Sequence, residues 1–262
     1  VKPGSRVVIS GYEHNAVTRP LHAIPGVEIV VADAPLFDGD EMVRQFAAAL
    51  AQPVDAVICT HVSNVFGFRL PVERIAALCR EKGVPFVLDA SQSAGMLPVD
   101  MAALGAAFIA MPGHKGLYGP QGTGLLLCGM EPSPLMQGGT GSQSILQDMP
   151  AELPDRLEPG THNMPGIAGL AEGLRFVKSR GVGTIADHER RLARRCAEQL
   201  GNIPGVEVFY TPDNGAQTGV LSFRAAGKDC EELGEALASR GVAVRAGLHC
   251  APLAHRTAVT LD

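Results

Sequence analysis

The 262 residues contain no tryptophan and only three tyrosines, which leaves little for a base-stacking surface. Positive charge is scarce too. The net charge is −5, the pI is about 5.9, and no block of Lys or Arg interrupts the chain, so nucleic acid is a poor partner. No apolar run is long enough to span a membrane. The opening VKPGSRVVIS lacks the apolar stretch and small-residue cleavage site of a signal peptide. It also lacks a starting Met and reads as the middle of a domain. The closing HRTAVTLD has no capped helix, so both ends are expected to be truncated. No two of the six cysteines form C-x-x-C, which sets zinc ribbons and redox pairs aside. Free thiols in a reducing cytoplasm are the expectation. Cys59, Cys79, Cys128 and Cys196 lie in apolar or amphipathic stretches and read as small core residues. Cys230 has no motif.

Nucleotide-binding signatures are missing as well. In GHKGLYGPQGTGLLL (113–127) most glycines follow Lys115, whereas a Walker A loop needs them before the lysine. GPQGTG is not G-x-G-x-x-G, and it leads into a strand rather than a helix. Neither a G-x-S-x-G elbow nor H-E-x-x-H occurs.

What is present is alternation. Short apolar, β-branched runs at 6–10, 27–33, 55–63, 85–91, 106–112 and 123–129 read as strands. Helical periodicity falls at 38–52 and 71–82. Strands that are apolar throughout belong in a sheet covered on both faces. The fold class is therefore α/β, a mostly parallel central sheet with helices on both faces. From 130 to 165 the chain is rich in Pro, Gly, Ser and Gln, and it is too long for a plain loop, so function or a subunit contact is expected there. A helix pair at 165–181 and 183–201 follows. Strands at 206–210, 218–224 and 242–246 and a helix at 229–240 suggest a smaller C-terminal α+β domain. We expect a large domain over 1–181 and a small one over 182–262.

A lysine at the end of a buried strand can lose its proton and form a Schiff base with an aldehyde. Pyridoxal 5'-phosphate (PLP) is the usual such aldehyde, and it needs a carboxylate at its pyridinium nitrogen. Asp89 ends strand 85–91 and Lys115 follows strand 106–112. Ligands of parallel α/β sheets collect at these carboxyl ends. Alone, Asp89 could simply cap a helix; the lysine one strand on favours a cofactor site.

Together these residues resemble a known family. VLDASQSAG followed by GHKGLYGPQGTG is similar to the class V aminotransferase fold of PLP enzymes, a type I fold, and within it to the cysteine desulfurases and selenocysteine lyases. YEHNAV (12–17), THVSNVFG (60–67), GGTGSQS (138–144), RLEPGTHN (156–163) and RAGLHCAP (245–252) agree in order and spacing. The resemblance implies that Lys115 anchors PLP covalently and that Asp89 holds the ring nitrogen protonated. Gln92 bonds the phenolic oxygen and His14 stacks on the ring with a share in acid–base steps. Asn64 meets the phenolic oxygen or the substrate carboxylate. His114 reaches the phosphate, and Thr161 reaches it across a homodimer interface. His14 could otherwise be a capping residue, Asn64 an Asx turn and Thr161 a helix cap. His22, His61, His162, His188, His249 and His255 gain no support from the resemblance and read as background histidines.

Cys250 decides the reaction. A loop cysteine beside His249 and near Arg245 fits an accessible, reactive thiol. The resemblance implies that it takes sulfur from L-cysteine as a persulfide, leaves L-alanine, and passes the sulfur to an acceptor protein or small thiol, with Arg245 near the substrate carboxylate. The alternatives are another class V enzyme (a selenocysteine lyase, an aminotransferase or an epimerase) and a non-catalytic homologue. The chain departs from the family pattern at three points. The phosphate segment with Gly and Thr that precedes the first strand is missing. The family's carboxylate arginine falls beyond residue 262, and Arg256 is too near Cys250 to replace it. Pro112 stands where Ser or Thr is common.

Overall fold

The computed structural model describes residues 1–261. Six strands form one sheet: β1 (Arg6–Ser10), β2 (Glu28–Ala32), β3 (Ala56–Thr60), β4 (Phe86–Asp89), β5 (Phe108–Pro112) and β6 (Gly124–Cys128). Their order is β2-β1-β3-β4-β5-β6. The first five are parallel, with registers that set Thr60 beside Asp89 and Asp89 beside Ala110. β6 runs antiparallel to β5. The connection 113–123 carries no helix and falls short of the dozen or so residues a parallel crossover needs, so the chain turns straight back.

Successive strand residues point to opposite faces, and two apolar clusters follow from this. Val8, Val57, Cys59, Phe86 and Leu88 pack with Met42 and Phe46 of α2 (Gly39–Ala49) and with Ile75 and Cys79 of α3 (Val72–Lys82). Val7, Ile9 and Ile58 meet Leu21 of α1 (Asn15–Ala23) on the other face. Both faces of the sheet are therefore covered, as its apolar strands require. Buried aromatics extend the first cluster: the Tyr12 ring meets Phe68 edge-on at 5.3 Å, and Phe66 lies 5.4 Å from Phe209.

Beyond the sheet, α4 (Met101–Leu104) is a single turn. The long helices α5 (Met164–Arg180) and α6 (Val182–Leu200) match the expected helix pair. β7 (Val206–Phe209) and β8 (Ser222–Ala225) form a separate antiparallel pair, followed by α7 (Cys230–Ala238) and α8 (Pro252–Thr257). Several details differ from the sequence reading, among them α8, which runs into the closing HRTAVTLD where no helix was expected. α1 was not foreseen, because Pro20 inside it reads as a breaker. The strand expected at 218–224 begins only at Ser222, since the Gln217 amide donates to the carbonyls of Phe66 and Val220 and holds that stretch outside the ladder. Residues 242–246 are not a strand; they run irregularly along a cavity wall.

Candidate active site

The site is assembled at the carboxyl ends of β3, β4 and β5, which deliver Asn64, Asp89 and Lys115 to one side of the sheet. A cavity of about 470 Å³ opens there, and His14, Asn64, Gln92, Lys115 and Arg245 all line it. A wider cleft of about 700 Å³ lies by α2 and α3. Its arginines are already paired, Arg69 with Glu73 and Arg74 with Asp40, so the smaller cavity is the chemical one.

Lys115 is half-buried in the turn after β5. Burial lowers its pKa, the Asp89 carboxylate opposes that, and Arg245 adds to it. A free amine is thus within easier reach than on an exposed lysine. The turn can sit here because two glycines let backbone touch backbone. A Cβ on Gly95, whose φ is +81°, would lie 1.9 Å from the Gly116 carbonyl oxygen. One on Gly116 would lie 2.4 Å from the Ala94 carbonyl. This contact presses the Gln92 loop against the Lys115 loop.

His14 serves twice. Its Nδ1 accepts from the Ala16 N–H at 3.0 Å and caps α1, and its ring lines the cavity. Burial first, then the Lys115 charge, lowers its pKa, while Asp89 works the other way. Asp89 accepts from the Ser91 N–H at 2.8 Å, which aims the carboxylate at the strand end. Asn64 reaches across to donate from Nδ2 to the His249 carbonyl at 2.8 Å. Cys250 is exposed, and its Sγ lies 4.0 Å from Nη2 of Arg245. Its carbonyl accepts from the Asn15 N–H at 2.7 Å. His249 and Cys250 adopt left-handed φ of 52° and 58°, uncommon for residues other than glycine.

Asp89, Cys250, His114 and Thr161 are not among the residues that line the cavity. Asp89 lies behind the wall, near enough for its charge to act on Lys115 and His14. Cys250 adjoins two lining residues, Arg245 at 4.0 Å from its Sγ and His249 as its neighbour in sequence. His114 and Thr161 are exposed.

Three residues that the sequence did not single out belong to the site. His249 and His255, read as background histidines, both line the cavity and stack with ring centroids 6.0 Å apart. Glu13 is fully buried behind His14. Its Oε1 accepts from the Thr60 N–H at 2.7 Å and from the Ser10 hydroxyl, and its Oε2 has no partner among the described residues. Burial pushes the carboxyl up to about 8, against those two hydrogen bonds and with help from Asp89. Position beside Cys250 could have flagged His249; nothing in the sequence marks Glu13 or His255, because their burial is tertiary.

The donor set fits the expected cofactor. It offers a half-buried lysine of lowered pKa, a carboxylate one strand away, an imidazole on the wall and two amide side chains, which suits a carbonyl-bearing, nitrogenous ring. No group of three or more metal-ligating side chains occurs among the described residues, and no helix there is long and apolar enough to cross a membrane.

Comparison with known proteins agrees with the geometry. The family model described as aminotransferase class-V matches residues 1–261. A probable cysteine desulfurase of Mycolicibacterium paratuberculosis is 37% identical, over 98% of this chain and 38% of its own length. A cysteine desulfurase of Salmonella agona is 34% identical, over 96% of this chain and 63% of its own. Among solved structures, the apo cysteine desulfurase of Thermococcus onnurineus superposes with a TM-score of 0.87 at 30% identity, covering 99% of this chain and 66% of that one. The cysteine desulfurase CsdA of Escherichia coli gives 0.85 at 26% identity, covering 98% and 65%. This chain spans about two-fifths of the length of the first two curated relatives. On its own residues, matched from one end of the described chain to the other, it belongs to the aminotransferase class-V family.

Proposed function

We propose that the protein is a PLP-dependent cysteine desulfurase that converts L-cysteine to L-alanine and keeps the sulfur as a persulfide on Cys250. The observation that carries this reading is the pairing of a half-buried Lys115, under the influence of Asp89, with an exposed cysteine next to Arg245 and His249 of the same cavity's lining. Lys115 would anchor the cofactor, Asp89 would keep its ring nitrogen protonated, His14 would serve its ring, Gln92 would hold its phenolic oxygen, and Asn64 that oxygen or the substrate carboxylate. His114, and Thr161 from a second subunit, would hold its phosphate. When bound, PLP supplies an electron sink for charge developing at the substrate Cα.

The chain's own groups do the rest. Arg245 holds the substrate carboxylate. The Lys115 amine takes the proton from Cα. Cys250 Sγ forms an S–S bond to the substrate sulfur as the C–S bond breaks, and protons returned at carbon give alanine. A thiol or acceptor protein then discharges the persulfide. Residues 1–181 act as the large cofactor domain and 182–262 as the small one, in a cytoplasmic homodimer. Support for self-association comes from Leu135 and Ile145, which are 98% and 90% exposed in the same irregular segment region that leads to Thr161.

The test is a visible spectrum of the full-length protein with PLP, with and without cysteine, together with alanine release. Lys115→Ala should abolish the cofactor band. Cys250→Ala should keep the band and lose persulfide formation. Full turnover in the Cys250 variant would show that the sulfur acceptor lies elsewhere.

A further inference from the structure

His255 has an unexplained nitrogen. The residue is 9% exposed and lines the cavity, with Phe66 at 5.6 Å and His249 stacked on it at 6.0 Å. Its Nδ1 is 2.8 Å from Thr260 Oγ1. Its Nε2 is buried and has no hydrogen-bond partner among the described residues. Buried polar atoms are almost always partnered, so an orphaned one in a residue of the cavity lining points to a ligand contact made when the cavity fills.

The Thr260 contact decides what that ligand must offer. The Thr260 hydroxyl also lies 3.5 Å from the His255 carbonyl oxygen. If Nδ1 carries the proton, it donates to Oγ1, Oγ1 donates to that carbonyl, and Nε2 is left with a bare lone pair. In the opposite tautomer a buried N–H stays unmet. Orphaned N–H groups are rarer and costlier than unfilled lone pairs, so the first arrangement is favoured. Burial also lowers the His255 pKa, which keeps the lone pair free of a solvent proton.

A donor is therefore required. Of the groups on a cysteine substrate, the carboxylate has no proton to give at neutral pH, and the amino group would be taken up by the cofactor aldehyde in place of Lys115. The thiol remains. His255 also stacks on His249, the neighbour of Cys250, which puts it at the sulfur end of the cavity. We propose that His255 Nε2 is the thiol-binding site of the cavity, accepting a hydrogen bond from the substrate S–H and so fixing the sulfur for Cys250. Thr260 is the positioning residue that sets the tautomer. The inference rests on the desulfurase reading above.

The experiment compares L-cysteine with L-alanine, which differ only in the thiol, by spectral titration of the full-length PLP-loaded protein. His255→Phe keeps the ring stack and removes the acceptor. It should weaken cysteine binding about three- to tenfold, the range of one hydrogen bond, and leave alanine binding unchanged. Thr260→Val, which frees the tautomer and leaves the ring in place, should give a smaller cysteine-selective loss of about two- to threefold. In cofactor-free protein, the 15N shift of Nε2 should be that of an unprotonated nitrogen. Equal losses for both amino acids, no loss for either, or a protonated Nε2 overturns the inference. Wild-type protein that binds cysteine but releases no alanine defeats the desulfurase reading alone.

Discussion

Replacing Glu13 by Gln tests whether a neutral carboxyl is built in beside the charged Asp89. The structure gives Glu13 two donors on one oxygen, none on the other, and complete burial. Burial raises its pKa from 4.5 to about 8, so the folded state holds a proton that the unfolded chain releases between those values. The sign follows directly. The stabilisation is fully present below pH 4.5 and is lost as pH rises through 8. At 1.36 kcal/mol per pKa unit the full loss is about 5 kcal/mol. The Gln amide keeps the shape and the Oε1 acceptor but cannot ionise. It places an N–H where Oε2 had no partner, at a pH-independent cost of about 1–3 kcal/mol. Urea unfolding of both proteins, run in steps from about pH 5 to pH 9, isolates the effect, since all other titrating groups are shared. The wild type should lose about 4 kcal/mol relative to the variant across that range, the first part of the full loss lying below pH 5. Parallel pH profiles would refute the burial argument and make Glu13 an ordinary ionised carboxylate.

On the acid side, His61 is buried with both ring nitrogens unpartnered among the described residues, and burial holds it down at about 4. Its stabilising neutral form is fully present above 6.5 and lost as pH falls through 4, so His61→Leu should flatten that limb by about 3 kcal/mol in the same assay. Gly95→Ala should cost at least about 2 kcal/mol in thermal or urea melts, because the added methyl meets the Gly116 carbonyl at a left-handed backbone. Asp89→Asn removes the charge that supports protonated Lys115, so the pH midpoint for labelling Lys115 by an amine reagent in cofactor-free protein should fall. An unmoved midpoint would mean that the two side chains do not interact.

The sheet was legible because its strands are apolar throughout and bounded by turn residues, a pattern that local sequence carries. The antiparallel β6 was not, since direction depends on what the short 113–123 turn permits. Residues 242–246 look like a strand by composition, yet they have no partner strand among the described residues and serve as cavity wall instead. At the site, Lys115, His14, Asn64, Gln92 and Arg245 were each readable in a motif, and the fold brings all five to one cavity. Glu13 and His255 were not readable. What distinguishes them is an oxygen and a nitrogen buried without a partner, a property created only when β1, β3, α8 and the 209–224 region close on one another.

The backbone around Cys250 is stapled from both sides. Asn64 holds the His249 carbonyl and Asn15 holds that of Cys250, so the thiol hangs from a loop fastened to β3's end and to α1. Such a thiol moves by turning about its own side-chain bonds, not by carrying its loop outward. Under the proposed function, sulfur carried by Cys250 would be cargo at a fixed berth. A receiving thiol would then have to bring its own reach to this anchored loop.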